Sequence, residues 1–293
     1  MLSFYTVRNL NILLPLFNDW RSCNILIKKI NYQLGKKKRF ASILILDDAS
    51  TQKKNVTKSG LKNIINIKVL SLKKNLGSQK IISIGLDSIK NEKNKIVVIM
   101  DSDGEDDVDQ INNLIDTANN NPDCIAVASR IKRKEHFIFK LLYKIHLVIT
   151  FLFTFKWISY GNYSCFNSKN IRNILKNSNS WLAYSSCIAK NCKIIKVPTN
   201  RQKRFYGKSK LSFFGLFNHS FRVLSVFQSR IIVISIVYFI LVDIFSKVYS
   251  FDEEILYFFI FFYNLIIFFT LQKNNNSLFF RKKTFIKKIY KIK

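Results

Sequence analysis

Asp101 and Asp103 flank a single serine at the end of the apolar run Ile96–Met100, and Gly104, Glu105, Asp106, Asp107 and Asp109 follow within six residues. Side chains alternate along an extended chain, so two carboxylates one residue apart point the same way. Held a few ångströms apart at a strand's end, they repel and cost free energy unless a cation lies between them. A divalent, oxygen-preferring ion carrying a diphosphate fits such a pair. The same stretch also suits an acidic turn capping the next helix, with Asp106, Asp107 and Asp109 at its N-terminus. The doublet alone leaves both readings open.

Two other apolar runs end in similar residues. Asn11–Phe17 (NILLPLF) gives way to Asn18-Asp19, and Ser42–Leu46 (SILIL) to Asp47-Asp48-Ala49-Ser50-Thr51. Short, unbroken apolar runs are how strands buried on both faces read. Asn18-Asp19 are expected to cap a helix reaching about Leu34, which Gly35 and the basic Lys36–Arg39 end. Ile64–Leu72 is a weaker third strand, delivering Asn75–Ser78 to an amphipathic helix that runs to about Ile89. Ile96–Met100 is the fourth strand and Cys124–Ala128 the fifth. Strands alternating with helical stretches of ten or more residues predict an α/β fold with a mostly parallel sheet and ligands at the strands' carboxyl ends. The three acidic strand ends then share one crevice.

The 293-residue chain has 48 Lys and Arg against 18 Asp and Glu, a formal charge of +30. Nucleic-acid binding does not follow, because it would need exposed stacking aromatics and most Phe here lie in apolar runs. Between Glu135 and Asp243 there is no acid at all, a stretch that favours phosphate groups or an anionic membrane surface. Five cysteines without CxxC spacing read as reduced thiols and not as a disulfide framework or zinc site. Ile12–Phe17 is too short, and broken by Pro15, to be a secretory signal.

The C-terminal half is greasier. Residues 136–156 are apolar but carry Lys140 and Lys144 one turn apart, which suits either an interfacial helix or a core helix. Residues 211–230 form a second amphipathic, juxtamembrane segment. Ile231–Phe245 and Ile255–Leu271 are short of the roughly 20 residues of a span but read as a transmembrane hairpin. Their connecting loop is acidic, and residues 273–293 form a basic tail, expected to be a lipid-surface helix or disordered. Positive-inside bias places the N-terminal domain and the tail in the cytoplasm.

With these motifs in view, the chain resembles family 2 glycosyltransferases of the GT-A fold, above all the membrane-anchored polyprenyl- or dolichyl-phosphate sugar transferases. The resemblance rests on Pro15–Asp19, Leu46–Thr51, Asn75-Leu76-Gly77 with Gly85, Met100–Asp109, Ser129-Arg130 and Arg204–Lys210, in the family's order over residues 10–212. It implies a GT-A domain over residues 1–210, with Pro15, Phe17, Asp19, Asp48 and Asp101 at the nucleotide. Asp101, Asp103 and Glu105 would hold Mg²⁺ or Mn²⁺, Glu105 standing where the family usually has Gln. Asp103 and Arg204 would be catalytic, and Arg130, Lys140, Lys144 and Lys210 would meet the acceptor phosphate. Ala49 replaces a family glycine, and the family's acid before Gly161 is replaced by Trp157-Ile158-Ser159-Tyr160.

Sugar transfer to a hydroxyl needs a carboxylate to take its proton, whereas a phosphate monoester attacks as an anion. The acid-free stretch therefore favours an acceptor that is already ionised, and the resemblance implies inverting transfer from a nucleotide diphosphate sugar onto a polyprenyl phosphate, in a multi-pass protein of the cytoplasmic membrane serving envelope glycan synthesis. A glycan or glycolipid hydroxyl acceptor, or a non-catalytic nucleotide-sugar-binding module, are the alternatives. Homo-oligomerisation is left open.

Overall fold

The computed structural model describes residues 10–131, 137–207, 213–274 and 276–292. Lys132, Arg133, Lys208 and Lys210 lie outside them. Among the described residues eight strands form one sheet: β1 (Leu10–Leu16), β2 (Ala41–Asp47), β3 (Ile64–Leu72), β4 (Ile96–Ile99), β5 (Cys124–Arg130), β6 (Tyr160–Asn167), β7 (Lys193–Thr199) and β8 (Ile286–Ile292). Their order across the sheet is β7-β5-β6-β4-β1-β2-β3-β8. Strands β1 to β4 run parallel, as do β5 and β7, while β6 and β8 are antiparallel to their neighbours. The helices in chain order are α1 (Trp20–Lys36), α2 (Ser78–Ile89), α3 (Ile111–Asn120), α4 (Phe137–Thr154), α5 (Ile171–Ile174), α6 (Asn179–Leu182), α7 (Tyr184–Asn191), α8 (Phe213–Ser225), α9 (Gln228–Tyr249) and α10 (Glu254–Lys273).

The five apolar runs are the five strands expected, and the central ones, β1 and β4, are buried along their whole length. Ile12 and Leu14 of β1 share a core with Trp20, Leu26, Ile27 and Ile30 of α1 and with Ile111, Leu114 and Ile115 of α3. Each such side chain contributes about 1.5–3 kcal/mol on burial. On the opposite face α2 lies so near β2 that a Cβ on Gly85 would stand 2.5 Å from Leu46 Cδ1. Pro15 is tolerated in this central strand for a local reason. The Leu13 carbonyl accepts from Met100 on the β4 side, so Pro15, two residues on, turns its nitrogen the same way, past the last β1–β4 pair at Leu13↔Ile99.

The C-terminal tail corrects one expectation: it is neither a free surface helix nor disordered. Residues Ile286–Ile292 form β8, paired with β3 from Ile67↔Ile292 to Leu72↔Ile286. Without β8, β3 would be an edge with a row of unpaired backbone groups. Tyr290 and Ile292 pack against the core, while Lys287, Lys288 and Lys291 remain exposed. The preceding turns press Phe279 and Phe285 against Trp181, with ring centroids 6.2 and 6.3 Å apart. Phe279 is 3% exposed, so Phe279→Ala is expected to cost about 3–5 kcal/mol. Denaturant unfolding of the sheet unit checks this, and an unchanged midpoint would mean the tail is not packed.

The chain divides into two units that interleave in sequence. One comprises Met1–Arg133, Tyr160–Ser209 and Phe279–Lys293, and the other Lys134–Ser159 and Lys210–Leu278. The α4 segment thus belongs with α8, α9 and α10 and not with the sheet. Within this second unit α9 and α10 have 22 and 20 residues and are long and apolar enough to cross a membrane. They are longer than their apolar runs because polar residues at the ends continue the helices. Asn264 donates to Ser235 Oγ across the pair at 2.8 Å. Arg230 and Tyr238 of α9 donate to the Thr154 and Leu152 carbonyls, each at 2.7 Å. The exposed Leu141, Ile145, Val148 and Leu152 repeat at helical spacing along α4.

On α8, burial, then Arg222 and His146, push His219 down to about 4. Between that value and 6.5 the unfolded chain binds the extra proton, so stability rises with pH over this window. Acidification from pH 7 to 4 is expected to remove up to about 3 kcal/mol from this unit, and His219→Gln to flatten that part of the stability profile.

Candidate active site

The ends of β1 and β2 are sewn together by short polar side chains. Asn18, at φ 50°, accepts through Oδ1 from the backbone N–H groups of Thr51 at 2.8 Å and Gln52 at 3.1 Å. Its own N–H donates to Ser50 Oγ at 2.9 Å. Asp47 accepts from the Ser50 N–H and the Ser71 hydroxyl, at 2.9 and 2.7 Å. The Asp48 carboxylate is buried and accepts from the Leu76 and Gly77 N–H groups at 2.8 and 2.7 Å. Both its oxygens therefore anchor the turn that starts α2. Burial raises its pKa, the two N–H groups opposing.

Ala49 sits between them at φ 60°, in the left-handed region where a Cβ costs about 1–2 kcal/mol. Ala49→Gly is expected to stabilise the protein by about 0.5–1 kcal/mol, the relief of strain exceeding the added freedom of the unfolded chain. A melting temperature that falls would contradict this.

Asp19 stands at the N-cap of α1, as expected, but its side chain makes no capping hydrogen bond. It is paired instead with Arg204 Nη2 at 2.6 Å, while Arg204 Nη1 lies 3.2 Å from Asp103 Oδ2. One guanidinium thus joins the end of β1 to the turn after β4. Both carboxylates keep some solvent contact, with side chains 12% and 20% exposed.

Asp101 is fixed from the sheet. In the antiparallel β4–β6 register Ile99 faces Ser164, so two residues further Asp101 faces Asn162. Asn162 Nδ2 donates to Asp101 Oδ1 at 3.2 Å. Gln79 in turn donates to Asn162 Oδ1 at 3.1 Å and accepts from the Tyr184 N–H at 2.6 Å. Asp106 accepts from the Asp101 N–H at 3.0 Å and lies 3.7 Å from Arg130. Asp107 caps the turn Val108–Gln110 by accepting from the Asp109 N–H at 3.3 Å. The acidic stretch is therefore both a helix cap and a carboxylate cluster.

That cluster is electrostatically loaded. Burial, then Asp106 and Asp103, push Asp101 up to about 8. Burial pushes Asp106 to about 6 against the pull of Arg130, and Asp103 is raised chiefly by burial. Crowded carboxylate oxygens under such a penalty fit an oxygen-preferring divalent cation, whose charge would remove the repulsion. Among the described residues no three His, Cys, Asp or Glu side chains converge as a complete cage. A cation of the Mg²⁺ type takes one or two carboxylates and completes its shell with phosphate oxygens and water, so the residues present fit it.

A strap, residues 201–206, lies over the turn. The Gln202 and Phe205 N–H groups donate to the Glu105 and Asp103 carbonyls at 2.9 and 3.0 Å. Gly104 has φ 86° and meets the Phe205 ring where a Cβ would be, 2.4 Å away, so both its conformation and its space demand glycine. Arg201 grips Glu105 Oε2 with Nε at 3.1 Å and Nη2 at 2.6 Å.

Asp19, Asp101, Asp103, Glu105, Arg130 and Arg204 are thus gathered at one end of the sheet. Pro15 is buried within β1, and Phe17 follows it 37% exposed. Lys140 and Lys144 belong to the second unit, and Lys210 lies outside the described residues. Gln79 and Asn162 were missed. Asn162 stands opposite Asp101 only through sheet register, 61 residues away in sequence, and nothing local announces it.

The model of glycosyl transferase family 2 matches residues 11–182. Glucosyl-3-phosphoglycerate synthase from Mycobacterium tuberculosis, solved with Mn²⁺, uridine diphosphate and glucosyl-3-phosphoglycerate, is 14% identical over 76% of this chain and 80% of its own, with a TM-score of 0.50. Mannosyl-3-phosphoglycerate synthase from Rubrobacter xylanophilus is 12% identical over 76% of this chain and 73% of its own, also at 0.50. These likenesses show the shared fold, GT-A. No curated protein matches the chain. The family match covers more than half of the sequence, and the chain belongs to glycosyl transferase family 2.

Proposed function

We propose that this family 2 glycosyltransferase moves a hexose-type sugar, with inversion, from a nucleoside diphosphate donor to a polyprenyl phosphate at the cytoplasmic membrane face. The observation that carries the reading is the gathering of Asp19, Asp101, Asp103 and Arg204 at the sheet end. Asp101 and Asp103 would hold Mg²⁺ or Mn²⁺, which when bound neutralises the departing diphosphate. The structurally similar synthase was solved with Mn²⁺ and UDP-glucose. The exposed Phe17 ring is suited to stack on the donor's base, and Asp48, by fixing the turn at Leu76 and Gly77, shapes the wall beside it.

Of the carboxylates at these strand ends, Asp19 and Asp103 are paired with Arg204, Glu105 with Arg201, and Asp47 and Asp48 with N–H or hydroxyl donors, and Asp101 is assigned to the cation in this reading. An acceptor that arrives already ionised needs no proton taken from it, and Arg130 and Arg204 supply cations for it. The resemblance adds Lys140, Lys144 and Lys210 as candidates for binding the acceptor phosphate.

Membrane attachment is supported by α9 and α10, about 33 and 30 Å long, of which only a few residues are buried. The sheet takes β7 before them and β8 after them. If α9 crosses a bilayer, α10 must cross back, since both ends are tied to one sheet. The basic tail then lies on the catalytic side, as positive-inside bias requires.

Incubating membranes containing the protein with labelled nucleotide sugars, one at a time, with polyprenyl phosphate tests the reading. Label from one donor is expected to pass into organic solvent with Mn²⁺ or Mg²⁺ and to stay in water with EDTA. Organic-soluble product that forms in EDTA would contradict it.

A further inference from the structure

We propose that Glu105 is a positioning residue: its ion pair with Arg201 fastens the strap 201–206 over the Asp101–Asp103 turn, and the divalent cation is left to the two aspartates. The inference rests on the metal-dependent reading above and departs from the ligand role that the resemblance gives this position.

Three observations carry it. Both Nε and Nη2 of Arg201 reach the same oxygen of Glu105, at 3.1 and 2.6 Å, and the side chains are 25% and 19% exposed. The next residue of the strap donates its N–H to the Glu105 carbonyl at 2.9 Å. Main chain and side chain of Glu105 are thus both committed to the strap. Finally, Arg204 and Phe205, which close over Asp103 and Gly104, are three and four residues from Arg201 and inherit their position from it.

The chemistry of the pair explains why a glutamate is accommodated here. A carboxylate added beside Asp101, Asp103 and Asp106 would deepen their mutual repulsion. Arg201 cancels that charge in place and converts it into a planar two-donor grip that an amide could not hold as strongly. The strap gains an anchor, and the aspartates' field is left for the cation.

The test uses the full chain in detergent or nanodiscs and two readouts, Mn²⁺ affinity by electron paramagnetic resonance and amide hydrogen exchange over residues 201–207. Glu105→Ala is expected to keep Mn²⁺ affinity within about threefold, because its side chain is bonded to Arg201 and not to either aspartate, whereas loss of a ligand's direct hydrogen-bonding partner costs about 10–100-fold. It is expected to speed exchange of the strap by about tenfold or more, the effect of a lost charged hydrogen bond. Arg201→Ala should do the same, and the double variant no more than either, as expected of one shared interaction. Glu105→Gln, which keeps the side-chain length and one carbonyl oxygen for Arg201, is expected to restore part of the strap's protection and guards against misfolding of the alanine variants. A fall of Mn²⁺ affinity by tenfold or more in Glu105→Ala, with the strap's exchange unchanged, overturns the inference. Failure of the wild-type protein to bind Mn²⁺ would instead sink the metal reading, while strap exchange would still decide whether Glu105 is its anchor.

Discussion

Asp101→Asn is expected to lower turnover about a thousandfold or more and at the same time to raise the melting temperature of the metal-free protein. The two effects share one cause. Asp101 is partly buried beside Asp106 and Asp103, and desolvation with their repulsion pushes it to about 8. An amide of the same shape keeps the Asn162 contact in place and removes the cost of either burying the charge or protonating the carboxyl. A gain of about 1–2 kcal/mol corresponds to a rise of roughly 2–8 °C for a unit of this size. Function is expected to move the other way, because under the proposed mechanism the charge stabilisation of the departing diphosphate, several kcal/mol, would depend on a cation held by these oxygens. A cation at 100 times its dissociation constant adds about 2.7 kcal/mol to wild-type stability, and the variant is expected to lose that increment. Scanning calorimetry with and without Mn²⁺ reads both signs. A variant less stable than wild type in EDTA, or still stabilised by Mn²⁺, would refute the assignment.

Arg204→Ala carries the second large effect. Its guanidinium is the only described cation within ion-pair distance of both Asp19 and Asp103, at 2.6 and 3.2 Å. Removing one preorganised charged donor at a site of developing negative charge typically costs about 10²–10³ in kcat. Lysine should recover little, since one ammonium cannot reproduce the two-armed geometry. The sign of the accompanying change in metal affinity separates this role from that of a structural support. Taking away a competing positive charge should leave Mn²⁺ bound at least as tightly, whereas collapse of the turn would weaken it. Equilibrium binding beside steady-state kinetics distinguishes the two.

The parallel half of the sheet was legible because its strands are buried on both faces and so read as unbroken apolar runs, Asn11–Phe17 and Ile96–Met100 above all. Strands β6 and β7 were not, since Tyr160–Asn167 mixes polar with aromatic residues and Lys193–Thr199 is an exposed edge. Strand β8 was harder still: Ile286–Ile292 holds three lysines, and only the vacancy at the edge of β3, which no sequence pattern reveals, makes it a strand. The site shows the same division. Asp101, Asp103 and Asp19 sit at the ends of readable strands, but Gln79, Asn162 and Arg201 meet them through sheet register and chain crossing. Asp48, taken as a nucleotide contact, has both oxygens on backbone N–H groups, a use that depends on a turn nearly thirty residues away.

The most direct test of the central claim offers the purified full chain its labelled donor and Mn²⁺ with either polyprenyl phosphate or the corresponding polyprenol. The account predicts lipid-linked product from the phosphate, abolished by EDTA and by Asp103→Asn, and none above background from the alcohol. Equal transfer to the alcohol would require a base that these residues do not supply, and would contradict it.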